Sequence, residues 1–190
     1  MKYGHVKRAI DIAVSGTALL LLAPLLLLVA VLIKMETTGF PLFFQDRVGQ
    51  GGRVFRMVKF RSMVKDAPSL GNWYTGHNDP RITRMGHFIR TTSIDELPQL
   101  WNVLTGDMSL VGPRPETPFQ ESLYGPVDWH IRHRVRPGIT GLAQVKGRSS
   151  LNPEARLRYD LDYASQPTFA KDIRILLATV AQVLRKTGVN

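Results

Sequence analysis

The sequence predicts an α+β protein with an N-terminal membrane helix and a small globular domain that contains a β-hairpin and several helices. Three observations lead to this class: a long uncharged apolar run near the N-terminus, two strand-like segments separated by glycines, and helical periodicity near the C-terminus. We place the membrane helix at residues 1–36 and the globular domain at residues 37–190. A chain of 190 residues is long enough to bury one modest core.

The membrane helix is predicted from the segment between Ile12 and Ile33, which has 22 residues and no charge. As a straight helix it would reach roughly 33 Å, about the thickness of the hydrocarbon core of a bilayer. The run continues directly into Lys34, without the small-residue cleavage site of a secretory signal. A retained membrane helix is therefore favoured over a buried core helix.

The charges around this run indicate how the helix sits in the membrane. Three basic residues precede it, and residues 34–190 carry 22 basic and 14 acidic residues. Basic flanks tend to stay in the cytoplasm, and Pro24 interrupts backbone hydrogen bonding in the middle of the run. We therefore expect a re-entrant helix, bent at Pro24, in preference to a straight span. The backbone at the bend would need a partner such as Ser15, Thr17 or the body of the protein.

Composition restricts the chemistry of the globular domain. The net charge of +10 favours an anionic partner: nucleic acid, phospholipid or a phosphorylated small molecule. Cysteine is absent, which excludes disulfides, thiolate chemistry and cysteine-based zinc sites. His130 and His133 have no third metal ligand nearby in the sequence, so we interpret them as ordinary surface or core histidines.

The segment PLFFQDRVGQGGRVFRMVKFRSM, residues 41–63, predicts a β-hairpin. Two phenylalanines lie in the first strand, glycines supply the turn, and residues 54–60 form the return strand. The period of two places Lys59 and Arg61 on one face, where two cations can bind a phosphate. The alternative is a solvated strand edge.

An acidic pair, Asp95 and Glu96, lies in the segment TTSIDELPQLWN. Ser93 and Glu96 fit a capping box, but Pro98 would then fall where a helix needs its backbone N–H. Asp95 at the N-cap, or at the mouth of the helix, is compatible with Pro98. Either position lies at the positive end of the helix dipole, which favours ionised carboxylates.

Cations surround this pair in the sequence. Arg114 lies between two prolines in SLVGPRPE, which fix the local backbone, so it loses little entropy when its fork binds a phosphate. A rigid surface loop is the alternative. Arg90 precedes the acidic pair, and Arg136 follows the loop.

Two C-terminal helices, broken at Pro167, are predicted within residues 153–184. The second has an apolar face that either packs on the core or lies at a membrane surface as an interfacial amphipathic helix. The residues that form this predicted face are Ile173, Leu176, Leu177, Val180 and Leu184.

Four segments together resemble the monotopic phosphoglycosyl transferases, a bacterial sugar transferase family that starts glycan assembly on a polyprenyl-phosphate carrier. The segments are FFQDRVGQGGRVFRMVKFRSM, TSIDELPQLWNVLTGDMSLVGPRPE, VRPGITGLAQVKGR and YDLDY. The similarity runs from about Lys7 to Thr187. Larger members carry extra transmembrane helices and another domain ahead of this unit, so the chain resembles the small, minimal form.

The resemblance implies a ping-pong enzyme that transfers a sugar 1-phosphate from a UDP-sugar to polyprenyl (undecaprenyl) phosphate and releases UMP. Asp95 would be the nucleophile that forms a covalent sugar-phosphate intermediate, and Glu96 would bind Mg²⁺. Asp160, in the family's C-terminal motif, would support the metal or an arginine. The charge of the pyrophosphate would be offset by Mg²⁺ and by Lys59, Arg61, Arg90, Arg114 and Arg136.

The resemblance also implies a re-entrant helix in the bacterial inner membrane, with the catalytic domain on the cytoplasmic face. Ala23 replaces the serine that many members have before the proline, and Leu142 and Lys146 replace a tryptophan and an asparagine. The identity of the sugar, the glycan pathway and any homo-oligomer are left open. A competing hypothesis is a membrane-anchored basic module that binds nucleic acid or acidic lipid without chemistry. It gives Asp95 and Glu96 no role, and the basic regions lack the interleaved aromatics of single-strand binders, so we expect no nucleic acid partner.

Overall fold

A computed structural model describes residues 2–67, 79–147 and 151–184. Arg148 and Thr187, which belong to the segment of family resemblance, lie outside the described residues. The described part is mixed helix and sheet, which confirms the α+β prediction. Its elements are α1 (Lys2–Glu36), β1 (Leu42–Val48), β2 (Val54–Phe60), α2 (Arg84–Thr91), α3 (Gln99–Thr105), β3 (Ser109–Val111), α4 (Pro126–Arg132), β4 (Gly138–Thr140), α5 (Leu142–Lys146), α6 (Pro153–Ser165) and α7 (Phe169–Leu184).

Helix α1 is one helix that contains Pro24 and is long and apolar enough to cross a membrane. Only 11% of the most apolar 18-residue stretch of α1 is buried inside the protein. The alternative of a buried core helix is therefore wrong. Leu20 and Leu21 are among its exposed apolar side chains. The bend at Pro24 and the re-entrant course stay predictions.

The hydroxyl of Ser15 makes its hydrogen bond near the start of α1 and not with the backbone near Pro24. This buried hydroxyl donates to the carbonyl of Asp11, 2.6 Å away and one turn earlier in α1. A carboxylate oxygen of Asp11 in turn accepts the N–H of Leu110, at 3.0 Å. Asp11 therefore attaches α1 to β3. Ser15 bonds to Asp11 within α1, so the expectation that it supports the bend is wrong.

Both ends of α1 contact the globular domain. Near its start, the Lys7 ammonium lies 2.7 Å from the Asp172 carboxylate of α7. At its end, the Glu36 carboxylate accepts the N–H groups of Arg84 and Met85 at the start of α2, at 2.7 and 2.9 Å. The globular domain thus extends along the helix from one end to the other.

The predicted hairpin is confirmed: β1 and β2 are antiparallel, with Phe43 opposite Lys59. The turn contains a short 3₁₀ segment at Gln50–Gly52, with Gly51 in the left-handed region at φ 69°. The Gly51 N–H donates to the carbonyl of His133 at 2.8 Å, which fixes the tip of the hairpin on the residue after α4.

A second, two-stranded sheet was not predicted. Strands β3 and β4 are parallel, with Ser109 opposite Gly138 and Val111 opposite Thr140. A Cβ on Gly138 would lie 2.1 Å from the backbone nitrogen of Gly112, so only glycine permits this approach. The pairing places the segment from Gly112 to Glu116, which contains Arg114, at the end of β3.

The described core lies between the hairpin, α3, β3 and the C-terminal helices. Its main cluster consists of Met57, Leu100, Val103, Met108, Leu110, Val111, Tyr163 and Ile175. The helix break near Pro167 is confirmed, but the predicted apolar face of α7 meets the core only in part: Leu176 packs against the main cluster, and the side chain of Leu184 lies outside the described part. Leu177 and Val180 are 66% and 57% exposed, whereas Asp172 and Ile175 are buried. The contacts of Asp172 with Lys7 and Tyr163 hold inward the face of α7 that carries Asp172 and Ile175, and they leave the stripe with Leu177 and Val180 outside.

Candidate active site

The acidic pair lies in a 3₁₀ turn, Ile94–Glu96, between α2 and α3. Ser93 precedes the turn in the left-handed region, with φ 58°, which is uncommon for a residue other than glycine. Pro98 occupies the N-cap position of α3. Asp95 therefore does not cap α3, and of its two predicted positions the one at the mouth of the helix agrees with the structure.

Glu96 and Arg114 form an ion pair across the site. Arg114 Nη2 donates to Glu96 Oε1 at 2.8 Å. Burial alone would raise the pKa of Glu96, but the charge and hydrogen bond of Arg114, together with the charge of Lys59, hold it below its ordinary value. Glu96 is thus ionised at neutral pH, and the structure brings together two residues that are 18 positions apart.

Asp95 has the opposite electrostatic environment. Burial and the adjacent charge of Glu96 raise its pKa to about 6, against the lowering effect of Lys59, Arg90 and Arg114. The helix dipole was expected to favour the ionised form of Asp95, but desolvation and repulsion by Glu96 outweigh that effect and raise the pKa. Asp95 is mostly ionised at pH 7, and its proton equilibrium lies close to the physiological range.

Lys59 contributes a cation from the hairpin. Its ammonium lies 5.5 Å from the centre of the Phe43 ring, directly across the sheet. Burial and the positive charge of Arg114 lower its pKa. Lys59 and Arg114 thus approach the acidic pair from separate elements, one from β2 and the other from the segment after β3.

Arg47 on β1 is a further cation near this site that the sequence interpretation missed. Its guanidinium donates to the Pro115 carbonyl at 2.8 Å and to Gln45 Oε1 at 2.7 Å. Burial and the nearby charge of Arg114 lower its pKa to about 10. A signal was available, because antiparallel pairing of the hairpin places Arg47 opposite Phe55, on the same face as Lys59.

Arg61 and Arg136 are engaged elsewhere. Arg61 is buried, and its guanidinium donates to the carbonyls of Thr37 and Thr38, at 3.1 and 2.8 Å. Arg136 Nε donates to the Gly106 carbonyl at 2.9 Å. Among the hydrogen bonds and ion pairs of the described residues, neither arginine contacts the acidic pair, so the structure does not bring them to the predicted phosphate site.

Asp160 lies beside an arginine. Its carboxylate accepts from Arg132 Nε and Nη2, at 3.0 and 2.8 Å, with both side chains almost fully buried. Burial raises the pKa of Asp160, and the charge of Arg132 opposes this effect. Of the two roles that the family resemblance implies for Asp160, support of an arginine agrees with these contacts.

The carboxylates of the site are oxygen ligands of the kind that Mg²⁺ prefers. Within residues 2–67, 79–147 and 151–184, no group of three or more His, Cys, Asp or Glu residues could hold a metal alone. Mg²⁺ commonly binds one or two carboxylates and completes its shell with substrate phosphates and water. Asp95 and Glu96 offer such a set, since Arg114 contacts only one oxygen of Glu96 among the described bonds.

The remaining predicted positions have ordinary surroundings. Leu142 packs partly against the core at the start of α5, whereas Lys146 at its end is exposed. The buried ring of His133 makes a 2.7 Å hydrogen bond to the Trp129 carbonyl.

A long apolar helix together with a half-buried acidic pair among several cations is typical of one class, membrane-associated proteins with anionic ligands. The comparison with known families narrows this class. The family described as "Bacterial sugar transferase" matches residues 2–186. The chain therefore belongs to the bacterial sugar transferase family, which confirms the resemblance.

Three relatives illustrate the similarity. An undecaprenyl-phosphate glucose phosphotransferase of Komagataeibacter xylinus is 46% identical over 92% of this chain and 35% of its own length. A UDP-N-acetylgalactosamine-undecaprenyl-phosphate N-acetylgalactosaminephosphotransferase of Aeromonas hydrophila is 41% identical over 98% of this chain and 45% of its own length. The exopolysaccharide production protein PSS of Rhizobium leguminosarum bv. phaseoli is 44% identical over 95% of this chain and 96% of its own length. The chain thus spans less than half the length of the first two relatives.

Proposed function

We propose that this protein transfers a sugar 1-phosphate from a UDP-sugar to undecaprenyl phosphate and releases UMP, as the first membrane step in the assembly of a glycan. The observation that carries the proposal is the half-buried pair of Asp95 and Glu96 among cations from three elements. Such a site offers an anionic nucleophile together with positive charge for a diphosphate. The names of relatives that act on undecaprenyl phosphate support it.

In the first half-reaction, a carboxylate oxygen of Asp95 attacks the β-phosphorus of the UDP-sugar. The bond from that phosphorus to the oxygen that bridges the two phosphates breaks, and the oxygen leaves with its electron pair as part of UMP. The product is a sugar phosphate bonded to Asp95 as an acyl phosphate. The raised pKa of Asp95 reflects a carboxylate that is weakly solvated and hence more nucleophilic than one in water.

In the second half-reaction, a phosphate oxygen of undecaprenyl phosphate attacks the same phosphorus. The bond to Asp95 breaks, the carboxylate is regenerated, and undecaprenyl diphosphate sugar leaves. Lys59, Arg90 and Arg114 bind the phosphoryl oxygens in both steps and reduce their repulsion by the carboxylates. When bound, Mg²⁺ supplies further positive charge at the diphosphate, and Glu96 would hold it.

We place the protein in the bacterial inner membrane, with the catalytic domain on the cytoplasmic face. A straight span would separate the ends of α1 by the roughly 30 Å hydrocarbon core. Lys7 and Glu36 near those ends both contact the same globular domain, which supports a re-entrant course instead. The exposed apolar stripe of α7 lies on the helix that Lys7 contacts, which supports its position at the membrane surface. The members of this stripe are Phe169, Ile173, Leu177, Val180 and Val183.

The test is incubation of the purified protein with undecaprenyl phosphate and a panel of UDP-sugars: glucose, galactose, N-acetylated and bacillosamine-type sugars. We expect one or more of them to release UMP and to give label in the lipid fraction. Asp95→Asn is the control, since it keeps the shape of the side chain and removes the nucleophile. No turnover with any sugar, combined with salt-sensitive binding of nucleic acid, would instead support a basic binding module.

A further inference from the structure

The segment that carries Arg114 is held by two other arginines through its backbone. Arg132 Nη2 donates to the carbonyl of Arg114 at 2.6 Å. Arg47 Nη1 donates to the carbonyl of Pro115 at 2.8 Å. Two successive carbonyls therefore each accept a charged donor, one from α4 and one from β1, and hydrogen bonds to charged donors are stronger than neutral ones.

Arg132 is rigidly placed. Its side chain is 1% exposed, and it contacts Asp160 at 2.8 Å and Glu116 at 3.2 Å. The hydroxyl of Tyr124 donates to the same oxygen of Glu116, at 2.9 Å. A buried cation that is paired in this way has one stable position, so it fixes the carbonyl of Arg114 relative to α4 and α6.

Arg47 is placed by the hairpin. Gln45 on the same strand accepts from its Nη2 at 2.7 Å. The N–H of Val48, the last residue of β1, donates to the carbonyl of Glu116 at 2.8 Å. The last two residues of β1 therefore hold the carbonyls of Pro115 and Glu116, directly after Arg114.

The side chain of Arg114 needs such support. It is 49% exposed, yet its guanidinium meets Glu96 at 2.8 Å. A long, half-exposed side chain loses rotamer entropy when it is held in one place, and neighbouring atoms do little to confine it. The position of its backbone therefore decides whether its guanidinium can reach Glu96.

We propose that Arg47 and Arg132 are positioning residues, which hold the Arg114 backbone from two sides so that its guanidinium stays on Glu96 and faces the transferred phosphate. This inference rests on the proposed function for its effect on activity. It assigns Arg47 no contact with substrate. A direct role of Arg47 in phosphate binding is the competing interpretation, and a double-mutant cycle separates the two.

The cycle compares Arg47→Gln in the wild-type protein and in the Arg114→Gln background, measured as the rate of adduct formation on Asp95. Alone, Arg47→Gln should slow adduct formation roughly 10- to 100-fold, because misplaced groups in an active site have effects of this size. In the Arg114→Gln background the same change should have less than about a twofold effect, since its target is gone. Multiplicative effects would show that Arg47 acts independently of Arg114 and would overturn the proposal.

Conservative variants provide the controls. Arg47→Lys keeps the charge but loses the forked pair of donors, so it should recover only part of the rate. Full recovery would indicate a role of charge alone and would contradict positioning. The matched control is Arg8→Lys, because Arg8, like Arg47, donates to main-chain carbonyls, here those of Val103 and Leu104 at the far end of α3. It should leave the rate of adduct formation within about twofold of wild type.

A measurement without substrate separates this proposal from the proposed function. In hydrogen–deuterium exchange, Arg47→Gln should increase exchange at the amide of Val48, which donates to the Glu116 carbonyl, whereas Arg8→Gln should not. Unchanged exchange in Arg47→Gln would overturn the positioning role even in an active enzyme. A wild-type protein that transfers no sugar phosphate, but shows the expected exchange, would overturn only the proposed function.

Discussion

Asp95 is the residue for which pH has the clearest consequence. Its pKa is raised to about 6 by burial and by Glu96, and only the ionised form is a nucleophile. We expect the rate of the UMP burst to be nearly constant above about pH 7 and to fall about tenfold per pH unit below pH 6. Rapid-quench measurements between about pH 5 and 8 would check this, with thermal unfolding as a control for folding. A burst rate independent of pH would show that Asp95 does not limit the first step.

The same carboxylate should reduce the stability of the fold. Because the folded state holds the Asp95 proton more tightly than the unfolded chain, ionisation lowers the free energy of unfolding as pH rises from about 4 to about 6. Asp95→Asn should remove this effect. We expect a gain of roughly 1–2 kcal/mol at pH 7, after allowance for screening at a half-buried side chain, and little gain at pH 4. The variant should also form no adduct.

Chemical denaturation at the two pH values, with mass spectrometry of the protein during turnover, would measure both effects. A variant less stable than wild type at pH 7 would show that Asp95 contributes hydrogen bonds that outweigh its desolvation. A variant that still carried sugar phosphate at residue 95 would exclude the carboxylate as nucleophile.

At the scale of elements, the parallel pairing of β3 with β4 determines where the Arg114 segment begins. Gly138→Ala would place a methyl group 2.1 Å from the backbone nitrogen of Gly112 and 2.4 Å from the Thr140 carbonyl oxygen. Because a shift of these backbone atoms would break the hydrogen bonds between β3 and β4, we expect a loss of at least about 2 kcal/mol in the free energy of unfolding. Gly4→Ala is the control, since a Cβ at Gly4 meets nothing within 4 Å, and its melting temperature should be unchanged or higher. If Gly138→Ala had the melting temperature of the wild type, the close approach of β3 and β4 at Gly138 would contribute nothing to stability.

Prediction from sequence succeeded for some elements and failed for others, for physical reasons. The hairpin was predictable because alternation and glycine spacing are local signals. Strands β3 and β4 have three residues each, which is too short for any periodicity. The apolar pattern of α7 identified a helix, but periodicity does not say whether the apolar face meets the core or a membrane, and Leu177 proved to be exposed.

The candidate site was predicted in the same partial way. The adjacent carboxylates and the proline-flanked Arg114 can be recognised in the sequence itself. The structure joins Glu96 to Arg114 in an ion pair. The raised pKa of Asp95 depends on burial, which composition does not reveal. Arg61 was expected at the phosphate because of strand periodicity, but it follows the end of β2, and its guanidinium turns to the carbonyls after α1.

At the scale of the whole molecule, the course of α1 is open to direct measurement. The chain has no cysteine, so single cysteines can be introduced without any background. Gly4→Cys and Met35→Cys mark the two ends of α1, and Met35 is 78% exposed. In intact cells, a maleimide that does not cross membranes should label neither position, and after permeabilisation it should label both. Labelling of one end from outside would establish a straight span.

The contact between Lys7 and Asp172 joins positions 165 residues apart in the chain. During synthesis, the apolar helix therefore leaves the ribosome long before the partner that fixes its first turns exists. The ion pair between Lys7 and Asp172 can therefore form only after almost the whole described chain has been synthesised. In the proposed membrane location, α1 is thus available for insertion into lipid before the globular domain is complete.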